Sequence, residues 1–372
     1  MSAIDDQHAG SLPVAADDHP TLQYVYRRTL QTSATRTAEL VLTMGTMDQN
    51  ASMINSELLA AVRRPLSPDA KFELPASREE YEHVQEILEE ENVKYPRLQY
   101  DGWRKVAIIV AAPSPLHGQM VGELMTRIND AVKSMQGLDS NIKGRLSISS
   151  DMSNTTYAGD TSTTRNWDGA LRYSTDEGHI LMVAFEVGIS QTYESLRAAI
   201  SYSVCALHCR VGITMCINEG NRGTRAPIQY YSTAHERDTV IQQTERQLWT
   251  VLRNNPYGPL IANGFIWYGR INRVVVETFR QEDDRCPPDT LLEPRQSFAI
   301  VEAGKFVGGD VPPNLAELRL GDCIPTHILS GNTIAGTPIN FFGQEWFERE
   351  FGHSMLETAL QRIKDKSQVR AG

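Results

Sequence analysis

Two acidic residues stand where a strand pair would bring them together. Asp168 lies in the run NWDGALRY (166–173), and Glu186 lies in HILMVAFEVG (179–188), 18 residues further on. The turn-forming STDEG (174–178) joins the runs, so an antiparallel hairpin would set the two carboxylates on neighbouring strands, within a few ångströms. Carboxylates that close repel, and one takes up a proton unless a cation sits between them. Mg2+ or Mn2+ suits such a pair, because hard cations take oxygen ligands and commonly use one or two carboxylates plus waters and phosphate oxygens. A cation held in this way activates water and offsets charge on a phosphodiester under attack. Glu123, on a preceding helix beside the core positions Val121 and Leu124, can face the same pocket as a third ligand. Plainer roles compete: Glu186 ending a strand in solvent, Asp168 forming a turn before Gly169, Glu123 on an exposed helix face.

The surrounding elements are legible from their spacing. VAIIVAAP (106–113) is a short continuous apolar run, the pattern of a buried strand. The helix SPLHGQMVGELMTRINDAVKSM (114–135) follows, with Leu116, Met120, Val121, Leu124, Ile128 and Val132 on one face. His117 falls in its first turn and can be read as a first-turn residue or as a phosphate contact. RLSISS (145–150) alternates as a strand does, and the polar residues 151–164 read as a loop. Residues 180–185 are all apolar, so both faces of that strand are covered. The helix QTYESLRAAISYSVCALHC and the apolar strand VGITMCINE (211–219) come next, completing a βαβ unit with a right-handed crossover and a parallel pair. Further along, a helix is expected at about 234–253, a long strand or hairpin at 264–280, and a terminal helix in FGHSMLETALQRIKDK. Nearer the N-terminus, Ser77 and Glu80 form a capping-box pattern at the start of a helix over 77–92, and one or two helices are expected within 20–63.

Asp168, the run Phe185-Glu186-Val187-Gly188-Ile189-Ser190, the helix after it and the strand at 211–217 together resemble the core of the restriction-endonuclease-like superfamily. Its mark is a Pro-Asp, a spacer, then Asp or Glu, any residue, and Lys. The closer likeness is to its Uma2-like branch, where the second motif resembles Glu-Val-x-Ser followed by a helix. The resemblance covers about 106–219. It implies a central mixed sheet flanked by helices and a metal-dependent nuclease, with Asp168 and Glu186 as metal ligands and Glu123 joining from the first helix. Two positions depart from the pattern. Trp167 stands where proline would precede Asp168, and Gly188 stands where the lysine that stabilises developing negative charge would be. In some members a group from the next helix serves instead, which here implies Gln191 to position water and Arg197 to stabilise charge. Arg197 cannot act as a base near neutral pH, because guanidinium stays protonated.

The expected fold is therefore α/β. It has a disordered tail (1–19), a helical N-terminal extension (20–100), a restriction-endonuclease-like core (101–280) and an irregular C-terminal region with a terminal helix (281–372). Net charge is −10, which excludes a broad basic face for nucleic acid and leaves local contacts such as Arg222 and Arg225 in the loop 220–227. No apolar run approaches a membrane span, and the acidic N-terminus lacks the core of a secretory signal, so an intracellular protein of cytoplasm or nucleus is expected. The odd, low count of 5 cysteines suggests reduced thiols and no disulfide framework. Trp103, Trp167 and Tyr202 read as packing residues. The competing function is a catalytically inactive scaffold on the same core, with the helices at 20–63 and 77–92 serving a homodimer or a protein partner.

Overall fold

The computed structural model describes residues 56–158, 161–189, 192–220, 226–280, 286–287, 289–329 and 333–370. The expected tail (1–19), most of the expected helices within 20–63, and Gln191, Arg222 and Arg225 lie outside the described residues. The elements run α1 Ser56–Val62, β1 Lys71–Pro75, α2 Arg78–Glu90, β2 Arg97–Asp101, β3 Val106–Val110, α3 Pro115–Ser134, α4 Ser140–Gly144, β4 Leu146–Ala158, β5 Thr161–Thr175 and β6 Gly178–Ile189. After these come α5 Tyr193–Cys205, β7 Val211–Gly220, β8 Gln229–Tyr231, α6 Ala234–Asn254, β9 Leu260–Ala262, β10 Phe265–Tyr268 and β11 Arg270–Arg280. The chain closes with β12 Gln296–Glu302, β13 Lys305–Phe306, α7 Leu320–Cys323, α8 Gln344–Lys366 and β14 Ser367–Val369.

Ten strands form one mixed sheet in the order β1-β3-β2-β5-β6-β7-β11-β12-β13, with β4 paired to β5. Within it only β6 and β7 run parallel, and α5 is their crossover. Three apolar clusters hold the layers. The largest packs α3, α8 and part of α6 on the sheet through Leu116, Met120, Leu124, Phe347, Phe351 and Met355. A second packs Ile200 and Val204 of α5 against Trp167, Ala170, Ala184 and Phe279. A third packs Leu58 and Val62 of α1 with Tyr81, Val84 and Leu88 of α2 on Leu98, Tyr100, Ala107 and Ile109 of β2 and β3. The apolar face of α2 is therefore used inside the chain. Its start is fixed by Ser77, whose side chain accepts from the Glu80 N–H while the Glu80 carboxylate accepts from the Ser77 N–H.

β5 has one continuous neighbour and two partial ones. On one edge β4 pairs along nearly its whole length, from Leu146 opposite Tyr173 to Ala158 opposite Thr161. On the other edge β6 pairs only from Gly169 to Thr175, and β2 meets β5 at Thr164. Between those contacts β5 and β6 part, and they do so at Asp168 and Glu186. β6 continues beside β7 as far as Ile189.

Several expectations are corrected. Residues 151–158 and 161–164 are not loop but the outer parts of β4 and β5. The threonines favour extended backbone, and the pairing of the two strands supplies the hydrogen bonds that the polar composition concealed. The segment 264–280 is neither one strand nor a hairpin: β10 pairs with β9, whereas β11 pairs with β7 and β12. Residues 71–101 contribute β1 and β2 to the main sheet, and β12 and α8 belong to the same core. A disulfide joins Cys205, at the end of α5, to Cys286, beyond β11, with their Cα atoms 5.1 Å apart. The spacing of the cysteines did not mark this pair, because its members are 81 residues apart and only the course of β11 brings Cys286 back to the end of α5.

Gly169 holds α3 close to the parting of the strands. A Cβ there would stand 2.5 Å from Met125 Sδ and 2.6 Å from Val121 Cγ1. Gly169→Val is expected to destabilise the fold by about 2 kcal/mol, the usual order for overpacking, as read by urea denaturation. Separately, the disulfide closes a sequence separation of 81 residues, so Cys286→Ser should cost up to about 4 kcal/mol by the chain-entropy model. An unchanged denaturation midpoint in either variant would contradict the respective contact.

Candidate functional site

The parting of β5 and β6 opens a cavity of about 340 Å³, lined among others by Asp69, Lys71, His117, Asp168 and Glu186. Asp168 closes the break left in the ladder. Its Oδ2 accepts the Val187 N–H at 2.8 Å, a backbone donor of β6 at the point where β5 no longer runs alongside. The same Oδ2 lies 3.0 Å from His117 Nε2. On the other side of the ring, His117 Nδ1 lies 3.2 Å from Asp69 Oδ1. Both ring nitrogens thus face carboxylate acceptors, which requires both to be protonated donors. His117 is placed by the first turn of α3, where Ser114 caps the helix by accepting the His117 N–H at 3.3 Å. Asp69 also accepts the Ser114 N–H at 2.8 Å, which ties the turn before β1 to the start of α3.

Glu186 is nearly inaccessible, at 8% exposure. Burial and the adjacent Asp168 carboxylate push its pKa well above the ordinary glutamate value, against the pull of Lys71 and His117. Asp168 moves the other way. Burial resists its ionisation, but the His117 imidazolium, the Val187 N–H and Lys71 outweigh burial and hold its pKa below the ordinary value. Of the two carboxyl groups, Glu186 is therefore the one pushed toward its protonated form. Burial also works against the His117 cation, yet Asp168 and Asp69 prevail and raise its pKa well above that of free histidine. For Lys71, burial and the neighbouring Arg165 guanidinium lower the pKa, while Glu186, Asp168 and Glu73 oppose the shift. Arg165 is itself held in a buried ion pair, 2.6 Å from Asp101 Oδ2.

The expected residues are thus partly brought together. Asp168 and Glu186 meet in the cavity. Glu123 is not among its lining residues; it accepts a hydrogen bond from Trp346 Nε1 at 3.4 Å, toward α8. Arg197 turns to the segment after β11, donating to the Leu292 carbonyl and pairing with Glu293. Both miss the cavity because helical spacing gives a side chain's face but not the neighbour across it. Trp167 packs as expected, in the cluster under α5. The sequence reading missed Lys71 and Asp69 altogether. They precede Glu186 by more than a hundred residues, and only the placement of β1 three strands from β5 brings them near. Gly188 stands where the resemblance implies a lysine, and that departure was the one sign in the sequence that a cation could come from elsewhere.

Two carboxylates with oxygen donors directed into one cavity fit a hard divalent cation that completes its coordination with water and phosphate. Among the described residues no set of three or more His, Cys, Asp and Glu side chains is arranged to hold a metal. No helix among the described residues is long and apolar enough to cross a membrane. Comparison with protein-family models, with curated proteins and with solved structures gave no match.

In metal-free protein, the raised pKa values of Glu186 and His117 have one sign. Each contributes stability that is complete below its unfolded pKa and is lost as pH rises through its folded pKa. Glu186→Gln keeps a donor toward Asp168 and removes the titration. In EDTA the variant should exceed the wild type in stability at pH 8 by more than about 1 kcal/mol, with the difference shrinking toward pH 4. Urea denaturation at the two pH values would refute this if the wild type were equally stable at pH 8.

Proposed function

We propose that the protein is a metal-dependent phosphodiesterase acting on nucleic acid, a nuclease-like enzyme of the restriction-endonuclease-like class. The observation that carries this reading is the meeting of Asp168, Glu186 and Lys71 in one cavity, two carboxylates and a cation on three strands. The succession of α3, the antiparallel β4, β5 and β6, the crossover α5 and the parallel β7 supports the fold half of the proposal. Asp168 and Glu186 would hold Mg2+ or Mn2+ through carboxylate oxygens. The cation, when bound, would supply charge neutralisation on the phosphate and a more acidic bound water.

The chain's own residues do the rest. Lys71 takes the place of the lysine that Gly188 lacks and neutralises charge developing on the phosphate oxygens. Water attacks phosphorus and releases a proton to solvent, the bond to the leaving strand oxygen breaks, and that oxygen takes a proton from solvent. His117 is a positioning residue: Asp69 and α3 orient it, and it in turn fixes one oxygen of Asp168. Arg197 has no part in this arrangement, and Gln191, Arg222 and Arg225 are not assigned roles.

With Mg2+ or Mn2+ supplied, Asp168→Asn and Glu186→Gln should each reduce cleavage of oligonucleotides by at least about a hundredfold. Both should also abolish Mn2+ binding in calorimetry. Lys71→Met should lower cleavage by a similar factor while leaving Mn2+ binding in place. Wild-type cleavage in Asp168→Asn would end the proposal. Neither cleavage nor metal binding in the wild-type chain would favour the inactive-scaffold reading.

A further inference from the structure

The wall of the cavity contributed by β2 and the residues before it is unlike the rest. Tyr95, Arg97 and Gln99 line it there. The Arg97 guanidinium lies 4.8 Å from the centroid of the Tyr95 ring, and the Lys94 ammonium lies 5.6 Å from it. An aromatic ring with cations over it is a combination that holds unpaired nucleotides: a base stacks on the ring in place of a cation, and the displaced cation meets the backbone phosphate. Asn166 also lines the cavity, and its buried Oδ1 makes no protein hydrogen bond, an acceptor that a base N–H would satisfy once the side chain turned toward it. On the α3 side, Gly118 and Gly122 line the space, and a Cβ at either would meet nothing within 4 Å. The helix therefore leaves room where a larger residue would fill it.

Size decides what can enter. A volume near 340 Å³ lies at the low end of sites that enclose a small ligand, enough for roughly one nucleotide. Glu186 is at the inner end of that space and barely accessible. An unpaired nucleotide can present its base and its phosphate to such a space together, which is how proteins that hold single strands combine aromatic rings with cations.

We infer that the site takes one unpaired nucleotide of a single-stranded nucleic acid, with Tyr95 as the stacking platform, Asn166 as a base acceptor and Arg97 as a backbone contact. This rests on the phosphodiesterase reading for its chemistry, though the binding it predicts can be read without cleavage.

The test uses the full chain in EDTA and in Ca2+, with a short fluorescent oligonucleotide as single strand and as blunt duplex, in DNA and RNA versions, read by anisotropy. The single strand should bind at least about tenfold more tightly than the duplex in one or both chemistries. Tyr95→Ala should weaken single-strand binding about tenfold, with Tyr95→Phe retaining it. Arg97→Gln should also weaken it, and thermal melting would report whether each variant is folded. Equal or tighter duplex binding by the wild-type chain overturns the inference without any variant, as does unchanged binding in folded Tyr95→Ala. Single-strand preference with no metal-dependent cleavage would keep this inference and remove the phosphodiesterase. Cleavage of closed duplex DNA that depends on Asp168, with no strand preference, would do the reverse.

Discussion

Two carboxyl groups buried side by side repel each other and lose their hydration, and the surroundings of Asp168 and Glu186 answer that cost. Glu186 is pushed toward its protonated form; Asp168 is surrounded by donors. The Val187 N–H, the doubly protonated His117 and the Lys71 ammonium all compensate the charge on Asp168. Asp69 in turn balances His117 and holds the α3 N-terminus. Positive charge from Lys71 and His117 therefore faces the acids from two sides.

The same constraint accounts for the unusual course of the sheet. Had β5 and β6 continued as a regular pair, Val187 would have donated to a backbone carbonyl and the carboxylates would have been pressed between two packed helices. Instead the strands part. β2 takes up the edge of β5 further along, and the gap between its two partners becomes the cavity. Gly169 lets α3 approach just there, so that its first turn delivers His117.

Much of this was readable in the residues. The apolar run at 180–185, the helix after it and the strand from Val211 gave the parallel pair, and the capping box at Ser77 placed α2 within a residue. The meeting of Asp168 and Glu186 followed from the turn between them. What failed was non-local. The threonine-rich stretch before Arg165 looked like a loop because only its pairing with β4 makes it a strand. Glu123 and Arg197 were placed by helix face alone, and each found a partner on a segment distant in sequence, Trp346 and Leu292 respectively. Lys71 carries no local signal: at the head of KFELP it is one more polar residue on an alternating strand.

Lys71 and the carboxylate pair also belong to separately packed parts of the sheet. β5 and β6 join through a short turn, and their core forms with α3 and α5, whereas β1 is held by β3 and backed by the cluster under α1 and α2. The hairpin can form from neighbours in the chain; the contact with Lys71 needs closure of a loop of nearly a hundred residues. The counter-charge that Lys71 brings is thus the least local part of the site, and a change that loosened the packing of β1 on β3 would withdraw that ammonium while leaving the β5–β6 pairing in place.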